Sequence, residues 1–325
     1  MLVEPLLNEL LNPKCLLKIN ACLVLHGDKI LCTYRCNHLY SYNSYTHLTN
    51  FDYNFNPIAH RLLVTEDGNT ALEDVRLFSF KNTLLAFYTF LPKVREAEWN
   101  WEYTVGVGIV DLEEGKITNQ KSLRKYSNQK HEKNWVPYDY MGELFVITNF
   151  QPYVRILKLR GDIKDFEFKE VYLKKNEHLD WSWGAIRGGT PLFSIPKNKR
   201  KDSDINFMYG FIHSSLAVSD NGEVGGFYFY SLIRFDPNNY DCFIQPTPTG
   251  YSDNEYDREY NRKHILTTGG KKLKVVFPMG VILYDEGVLM SFGKDDCESR
   301  TRFFNWDFIQ NWFNEQPEKL ELIAL

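Results

Sequence analysis

The chain has 325 residues, of which 43% are hydrophobic, 25% charged and 15% aromatic, and its formal net charge is −4. That composition supports a sizeable core, and the net acidity argues against a general nucleic-acid binder, whose surface must be basic to meet phosphates. The 20 Tyr and 23 Phe favour strands, and aromatic faces also pack on sugar rings.

At the N-terminus, MLVEPLLNELLNPKCLL puts Leu2, Leu6, Leu7, Leu10 and Leu11 on one helical face, which predicts a short docking helix within residues 1–14. Glu4, Asn8 and Glu9 interrupt the apolar run, and neither a basic segment nor a small-residue cleavage site accompanies it, so it does not read as a secretory signal. One unit then recurs along the chain. INACLVLHGDKILCTYRC (19–36) is a strand, a Gly27-Asp28 turn and a second strand. EDVRLFSFKNTLLAFYTF (73–90) repeats it around Lys81-Asn82, and KNWVPYDYMGELFVITNF (133–150) around Gly142-Glu143. A degenerate copy runs from RGGTPLFSI (187–195), through a polar loop over 197–206, to FMYGFIHSS (207–215). The last, VVFPMGVILYDEGVLMSFGK (275–294), turns at Asp285-Glu286-Gly287. Further strand-like runs follow at 104–112, 153–159 and 225–235. NWDFIQNWFNEQ (305–316) carries an apolar stripe of Trp306, Ile309, Trp312 and Phe313 and predicts a C-terminal helix.

Five units of about four strands each describe an all-β, five-bladed β-propeller, with a β-sandwich as the second choice. The predicted organisation is one domain over 1–325, with the propeller at 15–303 and a helix and tail at 304–325. The polar residues that open each unit would then converge on one funnel. These are Arg35, Glu73-Asp74, Lys133-Asn134, Arg187 and Asp295-Asp296. Taken singly each has a plainer reading: a solvated strand-end charge, a local Asp74–Arg76 ion pair, or, for His213, a satisfied histidine in an apolar strand. Recurrence at equivalent places favours the funnel.

Cys15, Cys22, Cys32, Cys36, Cys242 and Cys297 show no C-x-x-C spacing, and reduced thiols in a cytoplasmic protein are expected. The histidines show no metal-ligand spacing, and glycine-rich phosphate loops are absent, so no metal and no cofactor are predicted. No apolar run reaches the roughly 20 residues that span a bilayer, and no membrane partner is expected. The basic run at 197–201 reads as a solvated loop tip, and the tyrosine-rich loop 250–264 as a lid over the funnel or a disordered insertion, with Tyr251, Tyr256 and Tyr260 favouring an ordered insertion. Trp99, Trp101, Trp181 and Trp183 stand in polar loops, where a ring either stacks on a sugar or packs between blades.

These motifs resemble those of the five-bladed propellers of glycoside hydrolase family 130 and the related β-1,2-mannosyltransferases. Glu73-Asp74-Val75-Arg76 resembles the family's E-D-P-R, and Lys133-Asn134-Trp135-Val136-Pro137 its third-blade opening. Gly188-Gly189-Thr190-Pro191 and Phe211-Ile212-His213-Ser214 resemble its fourth-blade motifs, and Phe277-Pro278-Met279-Gly280 with Gly293-Lys294-Asp295-Asp296 its fifth. The resemblance spans about 15–300 and implies an inverting enzyme that transfers, phosphorolyses or hydrolyses β-linked mannosyl units; a non-catalytic glycan-binding propeller is the reading from another class. It implies Asp74 as general acid or base, with a raised pKa if it is to act as the acid. It implies Arg35, Glu73, Arg76, Asn134 and Asp296 around the sugar, and Lys133, Arg187 and His213 around inorganic phosphate, mannose 1-phosphate or a sugar nucleotide. The other partner is a mannoside oligosaccharide, and an oligomer is left open. Two departures stand out: Val75 replaces the usual proline, and Asn149-Phe150 replace a phosphate-contacting His-Arg pair, with Arg155 arriving five residues later.

Overall fold

The computed structural model describes residues 7–15, 17–37, 44–70, 72–90, 103–127, 132–176, 181–201, 206–220, 223–245 and 275–313. Its strands form five antiparallel blades in chain order. Blade 1 comprises β1 (Leu17–His26), β2 (Lys29–Asn37), β3 (Ser44–Phe51) and β4 (Pro57–Leu62). Blade 2 adds the short parallel strand β5 (Val64–Thr65) to β6 (Leu72–Phe80), β7 (Thr83–Phe90), β8 (Thr104–Asp111) and β9 (Lys116–Ser122). Blade 3 holds β10 (Val136–Tyr140), β11 (Glu143–Asn149), β12 (Tyr153–Arg160) and β13 (Glu167–Lys175). Blade 4 holds β14 (Ala185–Arg187), β15 (Met208–Asp220), β16 (Glu223–Phe235) and β17 (Cys242–Ile244), and blade 5 holds β18 (Val276–Leu283), β19 (Gly287–Lys294) and β20 (Glu298–Asn305).

The hairpins predicted in the first, second, third and fifth copies are present; in the fourth the first strand is β14 rather than 187–195, and of residues 188–195 only Phe193 bridges, to Tyr209. The third turns one residue earlier than expected, at Met141-Gly142, where both residues take the positive φ that a two-residue hairpin turn requires. The inner strands β1, β6 and β18 are buried on both faces over most of their length, whereas β4 and β13 are largely exposed. Burial on both faces follows because neighbouring blades cover an inner strand from each side.

The core is divided accordingly into five clusters, one per interface. Cys22, Leu48, Leu77 and Val75 lie between blades 1 and 2; Phe87, Trp135 and Val146 between 2 and 3; Tyr138, Ile147 and Ile233 between 3 and 4. Phe211, Met290 and Phe304 lie between blades 4 and 5, and Leu23, Ile282 and Leu289 between 5 and 1. The last interface closes the ring. There the Ser299 hydroxyl donates to Lys18 O at 2.7 Å and accepts from Ala21 N at 3.2 Å, and Ser291 Oγ accepts from Leu23 N at 2.9 Å.

Two short helices plug interfaces. Leu7 of α1 (Leu7–Leu10) and Leu11 after it enter the blade 5–1 cluster. Trp306 and Ile309 of α2 (Trp306–Asn311) and Trp312 enter the blade 4–5 cluster, and Asn305 caps this helix by accepting from Phe308 N at 2.7 Å. Residues 1–6, 250–264 and the end of the predicted C-terminal helix lie outside the described residues, as do Trp99 and Trp101. Among the described residues no helix is long and apolar enough to cross a membrane.

The expectation of six reduced thiols is corrected. Cys15, in the turn after α1, and Cys36, near the end of β2, form a disulfide with Cα atoms 5.4 Å apart, because the helix folds back over blade 1. Cys22, Cys32, Cys242 and Cys297 lie outside any disulfide and are buried.

Candidate active site

Asp74 answers why an acidic pair opens a strand. The β6–β7 register slips between Glu73 and Arg76, and inside this bulge Asp74 has a φ of 53°. Asp and Asn tolerate that left-handed conformation better than most residues, and a bulge re-aims the side chain it carries. Glu73 therefore faces Arg35 at 2.7 Å with part of its surface in solvent, while Asp74 turns inward and is 4% exposed.

Blade 1 uses the same device. The β1–β2 register slips between Ile19 and Cys22, and Asn20 there has a φ of 55°. Its amide Nδ2 donates to Asp74 Oδ1 at 2.8 Å, and Arg35 Nε lies 3.9 Å from the same oxygen. Gly293 of blade 5 backs Asn20 so closely that a Cβ there would overlap the Asn20 amide oxygen. Beneath this group Arg76 is 2% exposed. Its Nε donates to Gly189 O at 2.8 Å and its Nη1 to Asp74 O at 3.3 Å, and its guanidinium lies 5.4 Å from the centre of the Phe277 ring. Arg76 thus binds blades 2, 4 and 5 together as well as lending charge.

Burial alone would raise the Asp74 pKa, but Arg35, Lys133 and Arg76 and the Asn20 amide together hold it below the ordinary carboxylate value. The expectation of a raised pKa is therefore corrected: Glu73 is paired away, and three cations face the group. Arg35 stays protonated against its own burial because Asp74, Glu73 and Asp296 surround it. His213 is fully buried with both ring nitrogens free of hydrogen bonds, and its ring centre is 4.3 Å from that of Phe277. Burial first, then the charges of Arg76, Arg187 and Lys133, push its pKa well below the usual imidazole value. Arg187 is its cross-strand partner between β14 and β15. Asn134, next to Lys133, has a φ of 66°, is 5% exposed, and leaves both side-chain polar atoms unbonded.

Eight of the nine residues singled out from the sequence, drawn from all five blades, are linked by hydrogen bonds, ion pairs or electrostatic influence around Asp74, and Asn134 joins them only as the neighbour of Lys133. Within the acidic pair of blade 5 the roles divide: Asp295 is buried and accepts from Val275 N at 2.5 Å, whereas Asp296 acts on Arg35. Asn134, His213 and Arg76 each keep a buried side-chain polar atom without a hydrogen bond.

No protein-family model matches the chain, and no curated protein matches it in sequence. Solved structures do. The β-1,2-mannobiose phosphorylase of Listeria innocua superposes with a TM-score of 0.56 at 12% identity, over 91% of this chain and 92% of that one. A GDP-Man-dependent mannosyltransferase from Leishmania mexicana gives 0.55 at 16% identity over 90% and 86%. A mannose phosphorylase from the same organism, solved with a phosphate ion, gives 0.54 at 12% over 91% and 86%. The chain has the fold of these propellers.

Asn149 and Phe150 stand where the resemblance leads one to expect a His-Arg pair, and Phe150 is buried in the blade 3–4 core. Arg155 does not take over: it is paired with Glu170 of β13 at 2.7 Å and with the Tyr126 carbonyl. Trp181 is buried among the blade 3–4 residues, and Trp183 packs on Phe229 at 5.3 Å. Both rings pack between strands, the plainer of their two readings. Sequence reading missed Asn20, which sits in INAC with no neighbouring charge; the equivalence of its hairpin position to that of Asp74 was the available signal.

Proposed function

We propose that the protein is an inverting, mannosyl-transferring enzyme of carbohydrate metabolism that works on an anionic mannosyl donor. The observation that carries this is an ionised, buried Asp74 facing a cationic group, Lys133 and Arg76, that continues through Arg187 to the unbonded His213. A carboxylate held ionised suits a general base. An acceptor-sugar hydroxyl gives its proton to Asp74, directly or through a neighbouring hydroxyl, and its oxygen attacks the anomeric carbon from the face opposite the donor phosphate. The bond from that carbon to the phosphate oxygen breaks, and the phosphate leaves toward Lys133 and Arg187, with His213 as a neutral hydrogen-bond partner. Arg35, Glu73, Asn134 and Asp296 present both donors and acceptors to sugar hydroxyls. In reverse, with inorganic phosphate as nucleophile, the same residues perform phosphorolysis and Asp74 returns the proton.

The solved mannosyltransferase and phosphorylases of the same fold support a mannoside as substrate, and mannose 1-phosphate or a sugar nucleotide as donor. The test incubates wild type and Asp74→Asn with mannose 1-phosphate or GDP-mannose plus a β-mannoside acceptor, and with β-mannobiose plus phosphate. Wild type should form or cleave a β-mannosidic bond with inversion, and the variant should lose about 10²–10⁴ in rate. Full activity in Asp74→Asn removes the base. Release of free mannose without phosphate makes the enzyme a hydrolase, and no turnover of any mixture leaves a glycan-binding propeller.

A further inference from the structure

On the face of β2 turned away from Asp74, three metal-binding side chains meet. The sulfurs of Cys15 and Cys36 and a ring nitrogen of His47 all lie within 4.8 Å of one another, the one such group among the described residues. The register explains how. Cys36 faces Tyr45 and Tyr34 faces His47 across β2 and β3, so Cys36 and His47 are diagonal neighbours on one face, while Arg35 between them points the other way to Glu73. The His47 ring is stacked on Tyr34 with centres 5.7 Å apart and planes at 21°. The Tyr34 hydroxyl accepts from Asn12 N at 3.2 Å, which ties the same side chain to the segment that delivers Cys15. Both cysteines are buried and His47 is half-buried, which leaves an approach from its side.

We propose that Cys15, Cys36 and His47, once the disulfide is reduced, form a binding site for a soft or borderline metal cation, with Zn²⁺ as the fitting ion. Two thiolates and an imidazole are donors that select Zn²⁺ or Cu⁺ over hard cations. Tetrahedral coordination with Zn–S of about 2.3 Å sets the sulfurs about 3.8 Å apart. Rotation of the two side chains reaches that separation from Cα atoms 5.4 Å apart. The fourth position falls to water. The balance is simple. A reductant supplies two electrons and the disulfide takes up two protons to give two thiols; metal binding then releases those two protons. With a trialkylphosphine as reductant, the phosphine takes an oxygen atom from water and becomes its oxide. The site is independent of the mannosyl-transfer reading, since it lies on the far side of β2 from Arg35 and its test needs no turnover.

The full chain is reduced with a phosphine, freed of reductant without air, and titrated with Zn²⁺ against a chromogenic chelator; Co²⁺ then replaces Zn²⁺ to report thiolate-to-cobalt absorption. The reduced chain should bind one ion and show that absorption, and the air-oxidised chain should bind none. Cys36→Ser and Cys15→Ser should abolish binding, and His47→Ala should weaken it roughly tenfold or more while leaving the disulfide able to form. Bound Zn²⁺ should also protect two thiols from alkylation, read by intact mass. A reduced wild type that binds no ion, or binds it as tightly in Cys36→Ser, overturns the proposal. If the cysteine variants fail to fold, unchanged affinity in His47→Ala, or a wild-type ion that protects no thiols, overturns it equally.

Discussion

Asp74→Asn removes one charge from a buried group and keeps nearly everything else. Asp74 Oδ1 lies 3.9 Å from Arg35 Nε, with side-chain exposures of 4% and 16%. At an effective dielectric constant of about 20 that pair attracts by roughly 4 kcal/mol before desolvation is subtracted. Desolvation does not return when only one partner is removed, because Arg35 and Arg76 stay buried; breaking such a pair typically costs about 3–5 kcal/mol. Asparagine tolerates the left-handed backbone at φ 53° and offers an oxygen to the Asn20 amide, so about 3 kcal/mol is expected at pH 7. Asp74→Ala loses the same charge and adds about 1–2 kcal/mol of backbone strain. Urea unfolding followed by tryptophan fluorescence measures both. The pH dependence has a definite sign. The native pKa lies below the unfolded value of about 3.9, so the stabilisation is complete above that pH and fades as pH falls through the native pKa. The gap between wild type and Asp74→Asn should therefore shrink toward pH 3. A variant within 1 kcal/mol of wild type at pH 7, or a gap unchanged at pH 3, would refute the electrostatic account.

Gly293→Ala should displace the Asn20 amide and cut the proposed mannosyl transfer while circular dichroism stays close to wild type, since the worst overlap is with a side-chain oxygen. Leu77→Ala, fully buried between blades 1 and 2, should cost about 2–5 kcal/mol in the same urea assay. The ring proton of His213 should show no titration in NMR between pH 5.5 and 8, because its native pKa is depressed. Its unfolded form gains a proton below about pH 6.5, so His213 should contribute a loss of stability as pH falls below that value. A midpoint near pH 6.5 in the native protein would show that neither burial nor the neighbouring cations depress it.

The inner hairpins were legible because their strands are predominantly apolar and short polar or glycine-containing turns join them. The outer strands were not. EFKEVYLKK of β13 is mostly exposed and reads as a polar connection, yet it completes blade 3 by backbone pairing with β12. The site was legible as a set of recurring charges, but not its protonation: the sign of the Asp74 shift depends on which cations arrive from blades 1 and 3, a tertiary matter. The Cys15–Cys36 bond was hidden for the same reason, since 21 residues separate partners that only the fold-back of α1 brings together.

The seam between blades 1 and 5 has a kinetic consequence. Its hydroxyl bonds join residues 278 and 268 positions apart, among the longest-range contacts described in the molecule. Bringing such distant segments together costs on the order of 5 kcal/mol in loop entropy when nothing between them is ordered, and far less once four intervening interfaces have formed. Ring closure is thus expected as the final step of folding and the first to open. Hydrogen exchange at the Ala21 and Leu23 amides, which those serines cover, should outpace exchange in the blade 2–3 core. Equal protection at both places would mean that the ring opens only as a whole.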